Sequence, residues 1–221
     1  MNVLEQTRWV GCKGTTRRVY THNRGRGYIA DVGNKTKQVT DLILHLQRKG
    51  IFVPRITKVY SENHFVEFEK GGKTFANFLA KLSSESERVK KMPAAVRLRR
   101  LQQQKRANYQ ILTKIFRMMG RVHSLGIRHG HPHPGNIVLQ GNRVGLIDFK
   151  FAHWVSKECW KSHNSLFLGF WDDYMWLGKI LSRLAIQPKK RTALWRGLVS
   201  RYPCSEEIKQ QLMKRIEQWS G

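Results

Sequence analysis

Residues 127–154 constrain the fold of this chain more than any other stretch of its sequence. A polar loop rich in histidine leads into a short apolar run. Gly141-Asn142 then predicts a two-residue hairpin turn, because glycine adopts a positive φ at no steric cost. The returning strand brings Asp148 back towards the loop. The hairpin therefore places Asn136 and Asp148, twelve residues apart in the sequence, close together in space.

The residue types that meet at this hairpin favour a magnesium site. A carboxylate and an amide supply hard oxygen ligands, which Mg²⁺ prefers. We therefore predict that Asn136 and Asp148 hold the metal. The loop also carries His129, His131 and His133, and three imidazoles raise the alternative of a histidine metal cluster. Alternating residues of a loop rarely direct three side chains at one ion, so the oxygen site is favoured.

The sequence from His129 to Phe149 resembles the catalytic segment of the protein-kinase-like superfamily. That segment has the pattern H-x-D-x-x-x-x-N, a hairpin and then D-F-G. The strings HPGNI and GLIDF are similar to three atypical branches: aminoglycoside phosphotransferases, lipopolysaccharide-core kinases and UbiB-type kinases. The resemblance implies an α+β fold in two lobes, a small antiparallel sheet lobe with one helix over 1–70 and a mainly helical lobe over 71–221. The catalytic-type loop would be 127–150.

The resemblance also implies roles for individual residues. ATP and Mg²⁺ would be the cofactors, with Asn136 and Asp148 at the metal. His129 and Asp173 would support the loop from below. His131 stands where the superfamily has its catalytic aspartate, so a neutral His131 would act as the general base towards the acceptor hydroxyl.

Nucleotide binding would involve the N-terminal region. Residues 11–14 stand where the superfamily places a glycine loop, whose backbone N–H groups approach phosphate. By position Asp31 replaces the phosphate-pairing lysine of the third strand, and Lys13, Lys35 or Lys37 would then supply the positive charge. The nucleotide-binding candidates are Gly11, Lys13, Gly14, Asp31 and Lys35.

Hydrophobic periodicity predicts the remaining elements of the chain. Residues 83–106 are polar and basic, and predict a charged linker that merges into a helix. The clearest helical pattern covers 107–126. The other predicted elements are a strand pair over 8–32, a helix over 36–49, strands at 56–60 and 63–69, a hinge at Gly71-Gly72, a short helix near Phe75 and a C-terminal helix from Ser205.

The charge of the chain indicates an anionic partner. Its 41 Lys and Arg residues against 15 Asp and Glu residues give a net charge of +26. Nucleic acid, an acidic membrane or lipopolysaccharide would each match that charge. The basic residues occupy separate blocks over 8–37, 81–106 and 179–201, which predicts a basic face on a folded body. A merely solubilising surface is the alternative, although surfaces of mixed sign usually suffice for solubility.

Cysteine usage and hydropathy bear on the cellular compartment. Cys12, Cys159 and Cys204 are far apart and form no CxxC pair, so a reducing environment is favoured over a disulfide or zinc framework. The start of the chain lacks the basic and apolar pattern of a signal peptide. No apolar run reaches the length of a transmembrane helix. We therefore expect a cytoplasmic protein, with peripheral attachment at the inner face of a membrane left open.

Three functions remain open at this level. The first is a kinase that transfers the ATP γ-phosphate to an anionic or membrane-associated acceptor, such as a lipopolysaccharide sugar. The second is a pseudokinase that binds a nucleotide or a partner. Asp31, His131 and the lack of a glutamate in the helix over 36–49 favour it. The third is a nucleic-acid-associated kinase-like binder, which the basic charge permits.

Overall fold

The structure, a computed structural model, describes residues 8–10, 19–21, 27–69 and 71–220. Its N-terminal part is an antiparallel sheet with the strand order β1-β2-β3-β5-β4. Strand β3 pairs with β5 along its whole length, so both strands lie inside the sheet. The strands are β1 (Arg8–Val10), β2 (Val19–Thr21), β3 (Gly27–Asp31), β4 (Ile56–Tyr60) and β5 (Phe65–Glu69).

One helix packs on this sheet. Helix α1 (Thr36–Arg48) carries Val39, Leu42, Ile43 and Leu46 on one face, and each of these side chains is at most 1% exposed. Their spacing matches the helical repeat, and it is this stripe that the sequence predicted. The other face of α1 is charged. The predicted boundaries of this helix and of β4 are reproduced within a residue.

A long helical hairpin follows the sheet. Helix α2 (Phe75–Lys90) begins where the Thr74 side chain accepts a hydrogen bond from the Asn77 N–H at 3.2 Å. A short turn leads to α3 (Ala94–Ser124), which is 31 residues long. The charged linker predicted within 83–106 is therefore wrong except for the turn at 91–93, whereas the helix into which it was predicted to merge is present. The Glu, Gln, Lys and Arg residues of this stretch form helices readily, and ion pairs one turn apart support the solvated face of α2.

The hairpin predicted after the histidine-rich loop is present. Strand β8 (Ile137–Gln140) pairs with β9 (Arg143–Leu146), and β6 (Lys73–Thr74) lies on the other side of β8. Gly141 makes the turn with a φ of +56°, which explains the glycine there. Strand β9 ends at Leu146, earlier than predicted. Strand β7 (Ile127–Arg128) pairs with β10 (His153–Trp154) and closes the loop at its base.

The C-terminal part is helical around an aromatic core. The largest fully buried side chains here include Trp195, Tyr174, Phe116 and Phe170. Close packing of these rings fixes the helices that carry the loop. The helices are α4 (His163–Gly169), α5 (Trp171–Arg183), α6 (Pro188–Val199) and α7 (Glu206–Ser220).

The two parts of the chain contact each other behind the hairpin. Phe52 forms a parallel bridge with Gly145 of β9, and the Arg121 guanidinium donates to the backbone carbonyl of Lys49 at 2.9 Å. Buried residues from both parts belong to one hydrophobic core. The predicted lobe boundary between residues 70 and 71 falls between β5 and β6, and it remains a prediction. Among the described residues, no helix combines the length and the apolar character needed to cross a bilayer.

Candidate functional site

The histidine-rich loop is held from below by one carboxylate. Asp173 lies in the first turn of α5 and is fully buried. Its Oδ2 accepts from the backbone N–H of His129 at 2.9 Å, and its Oδ1 accepts from the N–H of Gly130 at 2.7 Å. Gly130 has a φ of +82°, and a Cβ there would press on the Phe151 backbone. The carboxylate therefore fixes the loop where its backbone turns most sharply.

A buried chain of side chains supports this carboxylate. The Nε2 of His123, on α3, lies 2.9 Å from Asp173 Oδ2, and its Nδ1 lies 2.6 Å from the hydroxyl of Tyr202. That hydroxyl lies 2.8 Å from the hydroxyl of Tyr174. Both ring nitrogens of His123 and both tyrosine hydroxyls therefore have a hydrogen-bond partner inside the protein. All four side chains are at most 2% exposed.

The protonation of this chain follows from its surroundings. Burial by itself raises the pKa of a carboxyl, but the hydrogen bond from His123, the electrostatic attraction of His123 and His129 and the hydrogen bond from the His129 backbone outweigh it and hold the pKa of Asp173 below its usual range. Burial raises the pKa of both Tyr174 and Tyr202 well above the ordinary tyrosine value. The tyrosines therefore keep their protons, and Asp173 keeps its negative charge.

The His129 side chain is fully buried below the loop. Its Nε2 donates to the backbone carbonyl of Ile147 at 3.0 Å, and its Nδ1 accepts from the N–H of His131 at 3.3 Å. The ring meets that of Phe149 edge to face, with 5.0 Å between centroids. These contacts join the loop to the segment that follows β9. They are the contacts expected of the supporting residue that the sequence predicted.

The hairpin brings Asn136 and Asp148 together, as the sequence predicted. The Asn136 Nδ2 donates to Asp148 Oδ2 at 3.2 Å and to the His131 carbonyl at 2.9 Å. The backbone carbonyl of Asn136 accepts from the Ile147 N–H at 2.9 Å, just before Asp148. The hairpin thus fixes both the spacing and the direction of the two side chains.

Asp148 has an unusual backbone. Its φ is +65°, in the left-handed region that aspartate adopts more readily than most residues. The following Phe149 is 2% exposed, which anchors the chain beyond the turn. The conformation directs the carboxylate towards Asn136 and away from the core. Strained backbone of this kind is often found at functional sites.

His131 packs within an aromatic cluster. Its ring centroid lies 4.9 Å from that of Trp176, 4.5 Å from that of His133 and 5.9 Å from that of Phe151. The Lys179 ammonium lies over the Trp176 ring, 4.6 Å from the ring centroid. An aspartate would find only part of these contacts. The histidine therefore has a packing role in addition to the proposed chemical one.

The donor set at Asn136 and Asp148 fits Mg²⁺. Magnesium is commonly held by one or two carboxylates together with substrate phosphates, and one carboxylate beside one amide meets that need. The histidine cluster is the weaker alternative, since the described part of the chain contains no group of three His, Cys, Asp or Glu side chains placed to hold a metal ion. The two oxygen-bearing side chains thus remain the candidate metal ligands.

The nucleotide-binding candidates are only partly covered by the structure. Gly11, Lys13 and Gly14 lie outside the described residues, and Asp31 is described by its backbone alone, which pairs with Phe65. Lys35 is exposed at the start of α1. These assignments remain predictions.

Lys35 lines a cavity of about 560 Å³ between the start of α1 and Trp154. Lys37 and Asp41 line it too, so the cavity is of mixed charge. Trp154 is 46% exposed and also meets the ring of His45 edge to face at 5.0 Å. The segment after Asp148 therefore reaches α1, which connects the candidate metal site to the charged face of that helix.

Sequence reasoning missed the buried chain below Asp173. His123 lies in helical register with the apolar residues Phe116 and Met119, and that register was the available signal. A polar residue on a buried stripe needs a partner, so His123 pointed to an unseen hydrogen bond. Tyr202 and Tyr174 gave no comparable signal, because aromatic residues are ordinary components of a core.

Comparisons with known proteins inform the fold. No family model matches the chain, and no curated protein matches it. A solved structure described as WaaP in complex with acyl carrier protein is similar, with a TM-score of 0.55 and 15% identity over 98% of this chain and 90% of that chain. Identity this low informs the fold alone. The structural similarity supports a kinase-like fold. It confirms the predicted α+β class, with a small antiparallel sheet before a larger helical part.

Proposed function

We propose that this protein is a kinase-like phosphotransferase that binds Mg·ATP at Asn136 and Asp148. The observation that carries the proposal is the approach of these two side chains to 3.2 Å on a hairpin whose loop is fixed by a buried carboxylate. Phosphoryl transfer is catalysed largely by positioning and charge neutralisation, and a fixed loop supplies the first of these.

The residues of the loop would have separate roles in phosphoryl transfer. Bound Mg²⁺ would neutralise the phosphate oxygens of the nucleotide. Asn136 and Asp148 would orient the metal-bound phosphates, and the left-handed backbone at Asp148 would hold its carboxylate in place. His131, when neutral, would accept the proton of the acceptor hydroxyl. Asp173 would act only through the backbone that it holds.

The proposed acceptor is an anionic hydroxyl compound, such as a sugar of lipopolysaccharide. A net charge of +26 attracts anionic molecules and repels cationic ones, so it selects a class of acceptor rather than one compound. The basic blocks at 81–106 and 179–201 lie on helices that are part of the folded body. Those helices carry positive charge that would attract an anionic acceptor to the protein.

Calorimetric titration with ATP, in the presence and absence of Mg²⁺, tests this proposal. We expect binding that requires Mg²⁺ and that falls at least about tenfold in Asp148→Asn, because a metal carboxylate is lost. Glu158→Gln is the matched control, since it removes an exposed acid whose partner is Lys161. Nucleotide binding that is equal in Asp148→Asn and the native chain would refute the site.

A pseudokinase is the second candidate, and the packing of His131 favours it. That ring contacts Trp176 and His133 at the position where the superfamily has its catalytic aspartate. Transfer of ³²P to an anionic sugar acceptor separates the two candidates. If the native chain binds Mg·ATP without transfer and His131→Asp gains transfer, the natural function is binding. If the native chain transfers phosphate and His131→Asp does not improve it, His131 serves as the base.

A further inference from the structure

The turn between α2 and α3 forms a distinct surface, which we call the α2–α3 tip and define as residues 90–100. Residues 90, 91 and 93–100 are all exposed, and Met92 is partly exposed. Val96 is 48% exposed and Leu98 is 61% exposed. Pro93, Ala94 and Ala95, which precede Val96, add further exposed apolar surface. The tip thus presents aliphatic groups to solvent at the end of a helical hairpin.

The same tip is strongly basic. Residues 88–106 contain eight Lys and Arg residues and no Asp or Glu. Within the tip itself, the charges flank the apolar run on both sides, at 90–91 and at 97–100. The nearest acids on α2 are already paired, Glu85 with Lys81 at 3.6 Å and Glu87 with Lys90 at 2.7 Å. Apart from Lys90, which pairs with Glu87, the basic residues of the tip have no acidic residue beside them in the sequence.

The tip is held in a defined conformation. The N–H groups of Lys91 and Met92 donate to the carbonyls of Arg88 and Val89 at 3.2 and 3.1 Å. Val89 is 7% exposed and packs inside the hairpin. Further down, the Gln104 amide donates to the Leu82 carbonyl at 3.2 Å and joins the two helices. A binding partner would therefore meet a preformed surface.

From this combination we infer that the α2–α3 tip docks on an anionic membrane surface. Aliphatic side chains inserted among lipid headgroups, surrounded by Lys and Arg facing lipid phosphates, are the two attractions that hold peripheral proteins on acidic bilayers. A helix rises about 1.5 Å per residue, so Val96 and Leu98 lie within about 6 Å of the start of α3. With the end of the hairpin pointing into the bilayer, both side chains lie within the depth of about 5–10 Å that apolar groups reach.

A nucleic acid is the competing partner, and the composition of the tip disfavours it. No aromatic residue lies between Phe78 and Tyr109, so the tip offers no ring on which a base could stack. Phosphate contacts alone would also leave Val96 and Leu98 exposed. The inference goes beyond the proposed phosphotransfer and does not depend on nucleotide binding.

Flotation of the full chain with lipid vesicles tests the inference. Vesicles of phosphatidylcholine with about a third phosphatidylglycerol are compared with vesicles of phosphatidylcholine alone, at about 0.1 M salt where exposed charges interact over about 10 Å. We expect binding to the acidic vesicles only. Failure of the native chain to float with the acidic vesicles overturns the proposal, whether or not it binds Mg·ATP.

Two tip variants and one control separate the contributions. The first, Lys91→Gln/Arg97→Gln/Arg99→Gln, should weaken partitioning by about fivefold per charge removed. The second, Val96→Ser/Leu98→Asn, keeps the charge and should weaken partitioning by at least about tenfold. The control removes three exposed charges elsewhere and should bind like the native chain. It is Lys157→Gln/Lys189→Gln/Lys214→Gln.

The binding results of the variants decide whether the α2–α3 tip is the membrane-binding site. Equal losses in the control and in the charge variant would mean that net charge alone attracts the vesicles, which overturns the tip as the site. No loss in the Val96→Ser/Leu98→Asn variant overturns it as well. If the charge variant loses binding to a single-stranded RNA 20-mer and keeps vesicle binding, the tip is a nucleic-acid surface instead. Thermal melting followed by circular dichroism confirms that each variant is folded.

Discussion

The two sides of the histidine-rich loop differ in how they are supported. On the lower side, the Asp173 carboxylate accepts from three donors on His123, His129 and Gly130 and is shielded from solvent. On the upper side, Asn136 and Asp148 meet at 3.2 Å, where Asn136 is buried and Asp148 is partly exposed. One side is a structural anchor, and the other carries the candidate metal ligands.

The difference shows which substitutions a loop of this kind tolerates. On the lower side, a buried carboxylate with three donors cannot be replaced without leaving donors unpaired. The upper side carries His131, whose ring packs against the aromatic rings of Trp176 and Phe151. Folding therefore constrains the anchor through buried hydrogen bonds, and it constrains the position of His131 through the packing of its ring.

Removal of the anchor should have the largest effect. In Asp173→Asn, one carboxylate oxygen becomes an NH₂ group that faces an N–H donor, and His123 or Gly130 loses its acceptor. We expect a loss of about 3–5 kcal/mol in the free energy of unfolding, typical of a buried pair that loses one partner. Urea denaturation measures it.

Asp172→Asn is the matched control for the anchor. Asp172 is the neighbour of Asp173 and pairs with Arg128 at 2.9 Å, but the two side chains are 35% and 25% exposed. We expect a loss of at most about 1 kcal/mol. Similar losses in both variants would show that the buried network contributes no more to the free energy of unfolding than the exposed ion pair does.

Acid should weaken the anchor. The pKa of Asp173 is lowered in the folded protein, so the unfolded chain takes up the proton first as the pH falls. The stabilisation is complete above the unfolded pKa of about 4 and disappears as the pH falls through the lower folded value. The stability gap between the native chain and Asp173→Asn should therefore narrow below about pH 4. A gap that is constant from pH 7 to pH 3 would contradict an ionised Asp173.

Loss of the tyrosine below the anchor should have a smaller effect. Tyr202→Phe deprives His123 Nδ1 and the Tyr174 hydroxyl of a shared partner. We expect a loss of about 1–3 kcal/mol, since buried polar groups are left unsatisfied while the ring is retained. Tyr109→Phe is a control on a partly exposed tyrosine of α3. Equal effects would mean that the Tyr202 hydroxyl contributes nothing to the anchor.

Much of the fold could be predicted from local patterns. The apolar stripe of α1, the turn at Gly141 and the meeting of Asn136 with Asp148 all follow from short-range rules that the structure obeys. The prediction failed over residues 83–106, where a polar composition suggested a linker. Helix formation there depends on propensity and ion pairs rather than on an apolar stripe, and the pattern method does not detect such helices.

The anchor itself could be predicted only in part. Asp173 and His129 were expected to support the loop because of the superfamily pattern. The route from Asp173 through His123 to Tyr202 depends on how α3, α5 and the segment after α6 pack together. Residues separated by 50 and 79 positions meet there, and no spacing rule predicts such contacts. Tertiary packing, which a single sequence does not display, supplies this part of the site.

Replacement of Asp148 by asparagine should change stability least, and a comparison with its replacement by alanine tests the ligand side of the loop. The φ of +65° suits Asp, Asn and Gly but costs other residues about 1–2 kcal/mol. We therefore expect Asp148→Asn to change the free energy of unfolding by less than about 0.5 kcal/mol, whereas Asp148→Ala loses about 1–2 kcal/mol. Urea denaturation of the two variants measures this. If Asp148→Asn were as destabilising as Asp173→Asn, both sides of the loop would be structural anchors. The small effect that we expect, together with lost Mg·ATP binding, would mark Asp148 as a residue kept for its ligand.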